Sequence, residues 1–485
     1  MECSEASSES EERMNTRPNI VLIHADQWRA DCLSFTGHPS VETPHLDSFF
    51  RSGVSFSKAY AAVPSCIASR ASLMTGLTQR THGRVGYRDG VPWKYDTTLA
   101  GTLADAGYHT QAVGKMHVYP ERNLLGFHNV VLHDGYLHRS RSQGDIADRD
   151  DYLLWLRDRR GATADFIYTG MGCNGYAVAP WCYDTLEHPM AWVTTESIDF
   201  LRRRDPDKPF FLYTSYHRPH PPLDPPRDYL AMYDRKTLPP PVMGDWAELL
   251  RADRGPDSPV PSHPDAIDRA RKAYYAQLTF IDHQINRLIH ALHERMLMDN
   301  TWIIFVSDHG DMLYDHNLTA KALPYEGCAR VPLIIRYPQK NALPTGRTID
   351  APVEMRDIFP TMCDIAGIET PKSVEGKSVM PLCRGESPAW RDYIHGEHEW
   401  GEGSNQWLTD GKWKYAWFSQ TGREQLFDLV NDPNEQHDCA GQKANELAEW
   451  RTRLVQELDG REEGYSDGNK LIVGRNPTQV LKHIL

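Results

Sequence analysis

The sequence contains no apolar run of 18 residues or more, so it encodes no membrane-crossing helix and no membrane partner is expected. It contains no C-x-x-C pair. Its nine cysteines, Cys3, Cys32, Cys66, Cys173, Cys182, Cys328, Cys363, Cys383 and Cys439, are odd in number and scattered. That pattern gives neither a disulfide framework nor a structural zinc site, and it leans towards a reducing compartment. Positive charge is in deficit, with a formal net charge of -13, which argues against a nucleic-acid binder. An anionic substrate stays open, because a local basic pocket can sit in an acidic protein. No internal repeat is visible, which excludes solenoids and propellers. The first residues, "MECSEASSESEERMNTR", lack the apolar segment of a secretory signal and read as a disordered lead-in over 1–16. A cytoplasmic location is the expectation, with a periplasmic or secreted one if a leader precedes this chain.

What is present is ordinary globular composition, with 40% hydrophobic and 25% charged residues over 485 positions. "PNIVLIHAD" (Pro18–Asp26) is a continuous apolar run, the mark of a strand buried on both faces of a parallel sheet. A short helix over Thr43–Gly53, a strand over Val54–Ala62, a helix over Thr97–Gly107 and a strand over Tyr108–Lys115 follow. This alternation predicts an α/β fold with a large, mostly parallel sheet flanked by helices. Residues 120–190 read as an insertion with little core of its own. "KPFFLYTSY" (Lys208–Tyr216) is a further buried strand. The consecutive prolines of His217–Pro226 bar helix and central strand there. A long helix is expected over Ala266–Met298, a strand at "TWIIFVSD", and another over Val331–Pro338. Beyond Gly367 the pattern changes to antiparallel strands around a DG turn (Glu397–Phe418) and an amphipathic helix (Asn445–Asp459). The division expected is a catalytic domain over 17–367 and a smaller C-terminal α+β subdomain over 368–485.

Three groups of residues carry chemistry. The stretch "VPSCIASRASLMTG" places Cys66 at a helix start, four residues before Arg70. The helix dipole and a guanidinium there suit a nucleophile, while a small buried cysteine beside a capping Ser65 is the plainer reading. Two strands end in acids, "HADQ" with Asp26 and Gln27, and "VSDHGD" with Asp308, His309 and Asp311. Ligands bind outside the carboxyl ends of such strands, and these oxygen donors suit a hard divalent ion. Calcium is the first expectation and magnesium the second; His309 leaves manganese open. Lys115, His117, His217, His220 and Lys321 sit at loop positions after strands, where cations can neutralise an oxyanion. His82 is a weaker candidate of the same kind.

In order along Arg17–Asp364, "PNIVLIHADQWRAD", "CIASR" with "ASLMTG", "GKMH", "YHRPH" and "VSDHGDMLYDHNLTAK" resemble the motifs of the formylglycine-dependent (type I) sulfatases of the alkaline-phosphatase-like superfamily. The resemblance implies hydrolysis of an aryl or carbohydrate sulfate ester. It implies that Cys66 is converted after translation to formylglycine, whose hydrate attacks sulfur, and that Arg70 orders that hydrate. It assigns Asp26, Gln27, Asp308, His309 and modified Cys66 to the metal. It assigns Arg70 and Lys115 to the sulfate charge, and His117 to taking the proton that releases sulfate. His217 protonates the leaving oxygen, shared with Lys321, which also grips sulfate; a lysine donating near neutral pH needs a depressed pKa. His220, His82 and Asp311 are expected in supporting roles, and His395 and His398 of "HGEHEW" on the pocket wall.

Two departures matter. Gln27 stands where many sulfatases carry a second aspartate, which is similar to the phosphonate monoester hydrolase branch and keeps phosphodiester or phosphonate ester hydrolysis as the alternative. Ala68 stands where proline is usual, which implies the radical maturase of anaerobic bacteria as the modifying partner. A non-catalytic binding protein on the same fold would show a degraded site, and every polar role here has an occupant. The oligomeric state is not legible in the sequence.

Overall fold

The computed structural model describes residues 17–135, 149–167, 170–247 and 263–485. The expected lead-in over 1–16 lies outside the described residues. The first ten strands are β1 (Asn19–Asp26), β2 (Gly53–Phe56), β3 (Ala59–Tyr60), β4 (His109–Gly114), β5 (Asn129–Leu132), β6 (Phe210–Pro219), β7 (Thr301–Ser307), β8 (Leu333–Arg336), β9 (Arg347–Ile349) and β10 (Val353–Glu354). Eight of them build one sheet in the order β5-β4-β6-β1-β7-β8-β2-β9. Every pairing in it is parallel except those of β8, which runs against both β7 and β2.

The central strands are apolar throughout because helices cover both faces. Val21, Ile23, Ile303 and Phe305 pack on one side against the Pro189–Arg203 and Pro264–Glu294 helices. Ile20, Leu22, Ile304 and Val306 pack on the other against the Leu99–Asp105 and Ile358–Ala366 helices. Alternate residues of one strand therefore serve two cores. Four antiparallel strands, β11 (Ile394–His398), β12 (Asn405–Thr409), β13 (Trp413–Phe418) and β14 (Glu424–Asp428), form the C-terminal sheet. The Ala444–Glu457 helix packs on it through Trp450 and Leu454.

Several local expectations need correcting. The run Val54–Ala62 is two strands, β2 in the large sheet and β3 paired with β10, separated by a turn at Ser57–Lys58. β6 continues through His217 to Pro219 despite its central position; the register slips between Ala25 and Asp26 where it meets Pro219, so the missing N–H falls at an irregularity. The 120–190 segment supplies edge strand β5 and buries Tyr152, Leu153, Leu156, Phe166 and Trp181 in the main core. The long helix ends at Glu294, four residues early, and Met296 beyond it has positive φ.

Candidate active site

β1 and β7 are parallel neighbours in register from Asn19/Thr301 to Ala25/Ser307, so their two terminal aspartates emerge side by side. Gln27 N–H donates to Asp308 Oδ1 at 3.1 Å, and the His309 N–H does so at 3.0 Å. β6, on the other flank of β1, presents Tyr213, Ser215 and His217 at alternating positions. β4, next to β6, delivers Lys115 just past its end.

Cys66 opens a ten-residue helix, Cys66–Thr75, at this strand-end rim. Its Sγ lies 3.2 Å from His309 Nε2, 3.3 Å from Lys321 Nζ and 3.7 Å from Asp26 Oδ1. The residue is 2% exposed. Ser65 is the N-cap residue, but its hydroxyl makes no capping hydrogen bond and has no partner, so the capping reading fails. The first-turn N–H groups point at the site with the positive end of the dipole, which favours an anion.

Arg70 is fully buried. Its Nε donates to Asp308 Oδ2 at 3.1 Å. One terminal nitrogen reaches the Lys115 carbonyl, Tyr213 Oη and Ser215 Oγ at 2.9–3.0 Å. The other, NH2, is buried without a hydrogen-bond partner, 3.8 Å from Asp26 Oδ2. An unmatched guanidinium nitrogen in a buried site is costly unless an anionic oxygen completes it. Lys115 Nζ donates to Asp26 Oδ2. Lys321 Nζ donates to Gln27 Oε1 at 3.0 Å.

These charges set the acid–base states. Burial and Asp26 push the Cys66 thiol up, but Lys115, Lys321 and His309 outweigh them and hold it below the ordinary value. Burial alone would raise Asp26; Lys115, His220 and Lys321 hold its carboxyl well below the carboxylate range. Burial pulls Lys321 down, yet Cys66 and Asp26 more than offset it and leave its ammonium above the ordinary value. Cys66, the largest of these raising influences, is the residue whose side chain maturation would replace. Burial, then Lys115 and Arg218, hold His217 well below its ordinary value. Arg218, gripped by Asp224, donates to His217 Nδ1 at 2.5 Å, so the neutral ring carries its proton on Nε2.

The donor set fits a hard divalent cation. Ligand atoms of Asp26, Cys66, Asp308 and His309 all lie within 4.8 Å of one another. His309 Nδ1–H donates to the Gly310 carbonyl at 2.8 Å, which leaves Nε2 with a free lone pair facing the cluster. The Gln27 amide is oriented as well. Its Nε2 donates to Asp311 Oδ2 at 2.5 Å, and Tyr176 Oη donates to the same oxygen at 2.6 Å. Asp311 Oδ1 accepts from the Leu313 and Ala320 N–H groups. Asp311 thus holds Gln27 with its carbonyl oxygen towards the cluster.

His220 lies beside His217, ring centroids 5.2 Å apart, and donates from Nδ1 to the Pro221 carbonyl. His117 is buried, in left-handed backbone, with its N–H on Asp134 Oδ1 at 3.0 Å and its ring edge-on to Tyr87. His82 is a satisfied core residue bonded to Ser72 Oγ and the Arg84 N–H. His395 is bonded to Gln79 and Gln406. His398 is buried near His309 and Lys321, its Nδ1 without a partner. Tyr213, Ser215 and Tyr176 were not singled out from the sequence. The alternation in "YTSYH" ahead of His217 is the signal that finds the first two, whereas Tyr176 has none.

The comparisons with known proteins agree with this geometry. The family model described as sulfatase matches residues 18–368. One described as N-sulphoglucosamine sulphohydrolase, C-terminal, matches residues 314–463. An arylsulfatase of Clostridium perfringens is 51% identical over 481 residues, covering 96% of this chain and 100% of that protein. The crystal structure of a phosphonate monoester hydrolase of Agrobacterium radiobacter superposes with a TM-score of 0.76 at 27% identity, over 91% of this chain and 95% of that one. A structure in complex with D-glucosamine-2-N,6-O-disulfate shares the fold, with a TM-score of 0.72 at 21% identity, over 91% and 97%. Among the described residues no helix is long and apolar enough to cross a membrane. The chain belongs to the sulfatase family and is an enzyme that hydrolyses sulfate esters.

Proposed function

We propose that the chain cleaves an aryl or carbohydrate sulfate monoester at Cys66, acting in its formylglycine form. The observation that carries this reading is a buried Sγ with Asp26, His309 and Lys321 within 3.7 Å, and Arg70 and Lys115 paired with the Asp26 and Asp308 carboxylates beside it. Asp26, Gln27, Asp308 and His309 would hold the divalent ion with Cys66, calcium being preferred for its oxygen-rich donor set. The ion supplies Lewis-acid stabilisation of charge at that position when bound.

The chain's own residues do the rest. Arg70, Lys115 and Lys321 exceed the two carboxylates by one positive charge, so the pocket attracts a sulfate ester and stabilises the dianion that leaves. The unpartnered NH2 of Arg70 is placed to donate to a nucleophile or sulfate oxygen. His217 presents Nε2–H to the leaving oxygen and shares its protonation with Lys321, which also grips sulfate. His117 takes the proton whose loss releases sulfate. A radical maturase is the proposed modifying partner, on the strength of Ala68.

A second reading, hydrolysis of a phosphodiester or phosphonate monoester, is favoured by one observation. Gln27 leaves the cluster one negative charge short of a double-aspartate site, the pattern similar to the phosphonate monoester hydrolase branch, whose Agrobacterium radiobacter structure shares this fold. Two measurements test the proposal. The tryptic peptide "AYAAVPSCIASR" (Ala59–Arg70) from chain matured anaerobically should carry formylglycine. Turnover of a phenyl sulfate should exceed that of the phosphate diester of the same phenol. An unmodified thiol beside a converted control sulfatase removes the mechanism, and faster diester turnover installs the second reading.

A further inference from the structure

Of 13 tryptophans only Trp400 is exposed, at 55%. A solvent-facing indole is costly to leave uncovered, and here it is not isolated. Its ring centroid lies 6.2 Å from that of Tyr87, tilted by 57°, and Tyr87 lies 6.0 Å from His117 at 67°. Three rings thus run from a buried histidine of the site out to the surface.

Backbone pairing fixes this arrangement. Gly86 pairs with Glu399, and the Glu399 N–H donates to the Val85 carbonyl at 2.9 Å. A Cβ on Gly86 would stand 2.3 Å from the Glu399 carbonyl oxygen, so only glycine permits the approach that brings Tyr87 beside Trp400. Along β11 and its extended continuation, side chains alternate. Glu397 and Glu399 turn to Arg461, Gln406 and Tyr465 on one face. Gly396 and His398 lie on the other face, where Gly396 abuts the Ala62 carbonyl and His398 is buried with its Nδ1 unpartnered. Trp400, at φ -157 and ψ 92, continues that second face outward.

We propose that Tyr87 and Trp400 form the subsite for the leaving alcohol, and that this subsite takes an aromatic ring. The inference rests on the sulfate-ester reading and narrows it to aryl sulfates. A sugar would need side-chain partners for its hydroxyls, and the carboxylates of this strand are engaged on its opposite face. Rings inclined at 57° and 67° offer both faces and edges, the geometry that receives another aromatic ring.

The test compares kcat/KM for 4-nitrophenyl sulfate and for a ring-free alkyl sulfate. In Trp400→Ala the aryl-to-alkyl ratio should fall about tenfold, the size of one good ring contact, with the loss in KM. Trp400→Phe should recover most of it, and Tyr87→Leu should lower the ratio in the same direction. An unchanged ratio in both Trp400→Ala and Tyr87→Leu, or a selective loss of sugar-sulfate turnover instead, overturns the proposal. Calorimetric binding of free 4-nitrophenol to the whole chain needs no turnover, and it should weaken about tenfold in Trp400→Ala. A chain that binds the phenol through Trp400 but hydrolyses no sulfate ester would sink the sulfate reading and leave the subsite standing.

Discussion

Asp311 touches no expected metal-ligand atom, yet the Gln27 amide depends on it. Its Oδ1 is engaged by two backbone N–H groups and its Oδ2 by Gln27 Nε2 and Tyr176 Oη. Asp311→Asn keeps the volume. The new amide must keep its oxygen on the backbone donors, so its NH2 meets the NH2 of Gln27. The cheapest relief is a flip of Gln27, which turns a donor instead of an acceptor towards the cation position and Lys321. One misplaced hydrogen bond in a buried site costs about 1–3 kcal/mol, equivalent to roughly 5- to 150-fold. That agrees with the 10–100-fold loss of metal affinity that is typical when a group orienting a ligand is changed. The assay is the calcium dissociation constant by chelator competition, run beside kcat, KM and thermal unfolding in excess chelator. Affinity should fall by about that factor while the chelated Tm moves by only a few degrees. Unchanged affinity, or a loss matched by collapse of the chelated Tm, would refute the orientation argument.

Cys66→Ala should abolish sulfate ester turnover, and Lys115→Ala should lower kcat at least about a hundredfold, since it removes the cation bonded to Asp26; steady-state kinetics checks both. Ala68→Pro lies in the first helical turn, where no intrahelical N–H bond is lost, so the chain should fold and become a substrate for the oxygen-dependent maturase, read from the mass of the 59–70 peptide. Glu399 is pushed up to about 8 by burial and then by Glu397, partly offset by its bonds from Tyr465 and Gln406. A raised carboxyl pKa means the folded state holds a proton the unfolded chain has released. Stability from this group is therefore complete below about pH 4.5 and is lost as pH rises to 8, a change of a few kcal/mol at most. Glu399→Gln should flatten the fall in Tm between pH 5 and 8, and an unchanged slope would count against the buried-acid assignment.

The fold was legible because the central strands are apolar on both faces and end in acids. "NIVLIHAD" and "TWIIFVSD" read locally as buried strands of a parallel sheet whose terminal Asp26 and Asp308 can share a cation; that they are direct neighbours is shown only by the structure. β6 was cut short because Pro219 argues against a central strand, and only the register slip opposite Asp26 makes it tolerable there. The split of Val54–Ala62 depends on which distant strand each half meets, β8 and β9 or β10, and that is not written locally. Among the histidines, sequence could not separate His82 and His395, with saturated partners, from His398, whose Nδ1 is open. Asp311 is legible only as a supporting residue; that its role is to orient Gln27 emerges only with Tyr176, which comes from a segment without regular pattern.

The C-terminal sheet closes over the strand that leads into Cys66. The Glu397 N–H donates to the Ala62 carbonyl at 2.8 Å, and Asn405 Nδ2 reaches the Ala322 carbonyl, whose own N–H is held by Pro64. Trp407 completes a core with Tyr60 and Ala62. If Cys66 is modified as proposed, an enzyme that grips this segment as an extended peptide would have to reach it before these late-synthesised strands dock. At about 5–20 residues per second, a ribosome needs on the order of tens of seconds to pass from Cys66 to Ile394. On the formylglycine reading, the order of the chain sets a timer, and maturation belongs to the interval of synthesis before these strands dock.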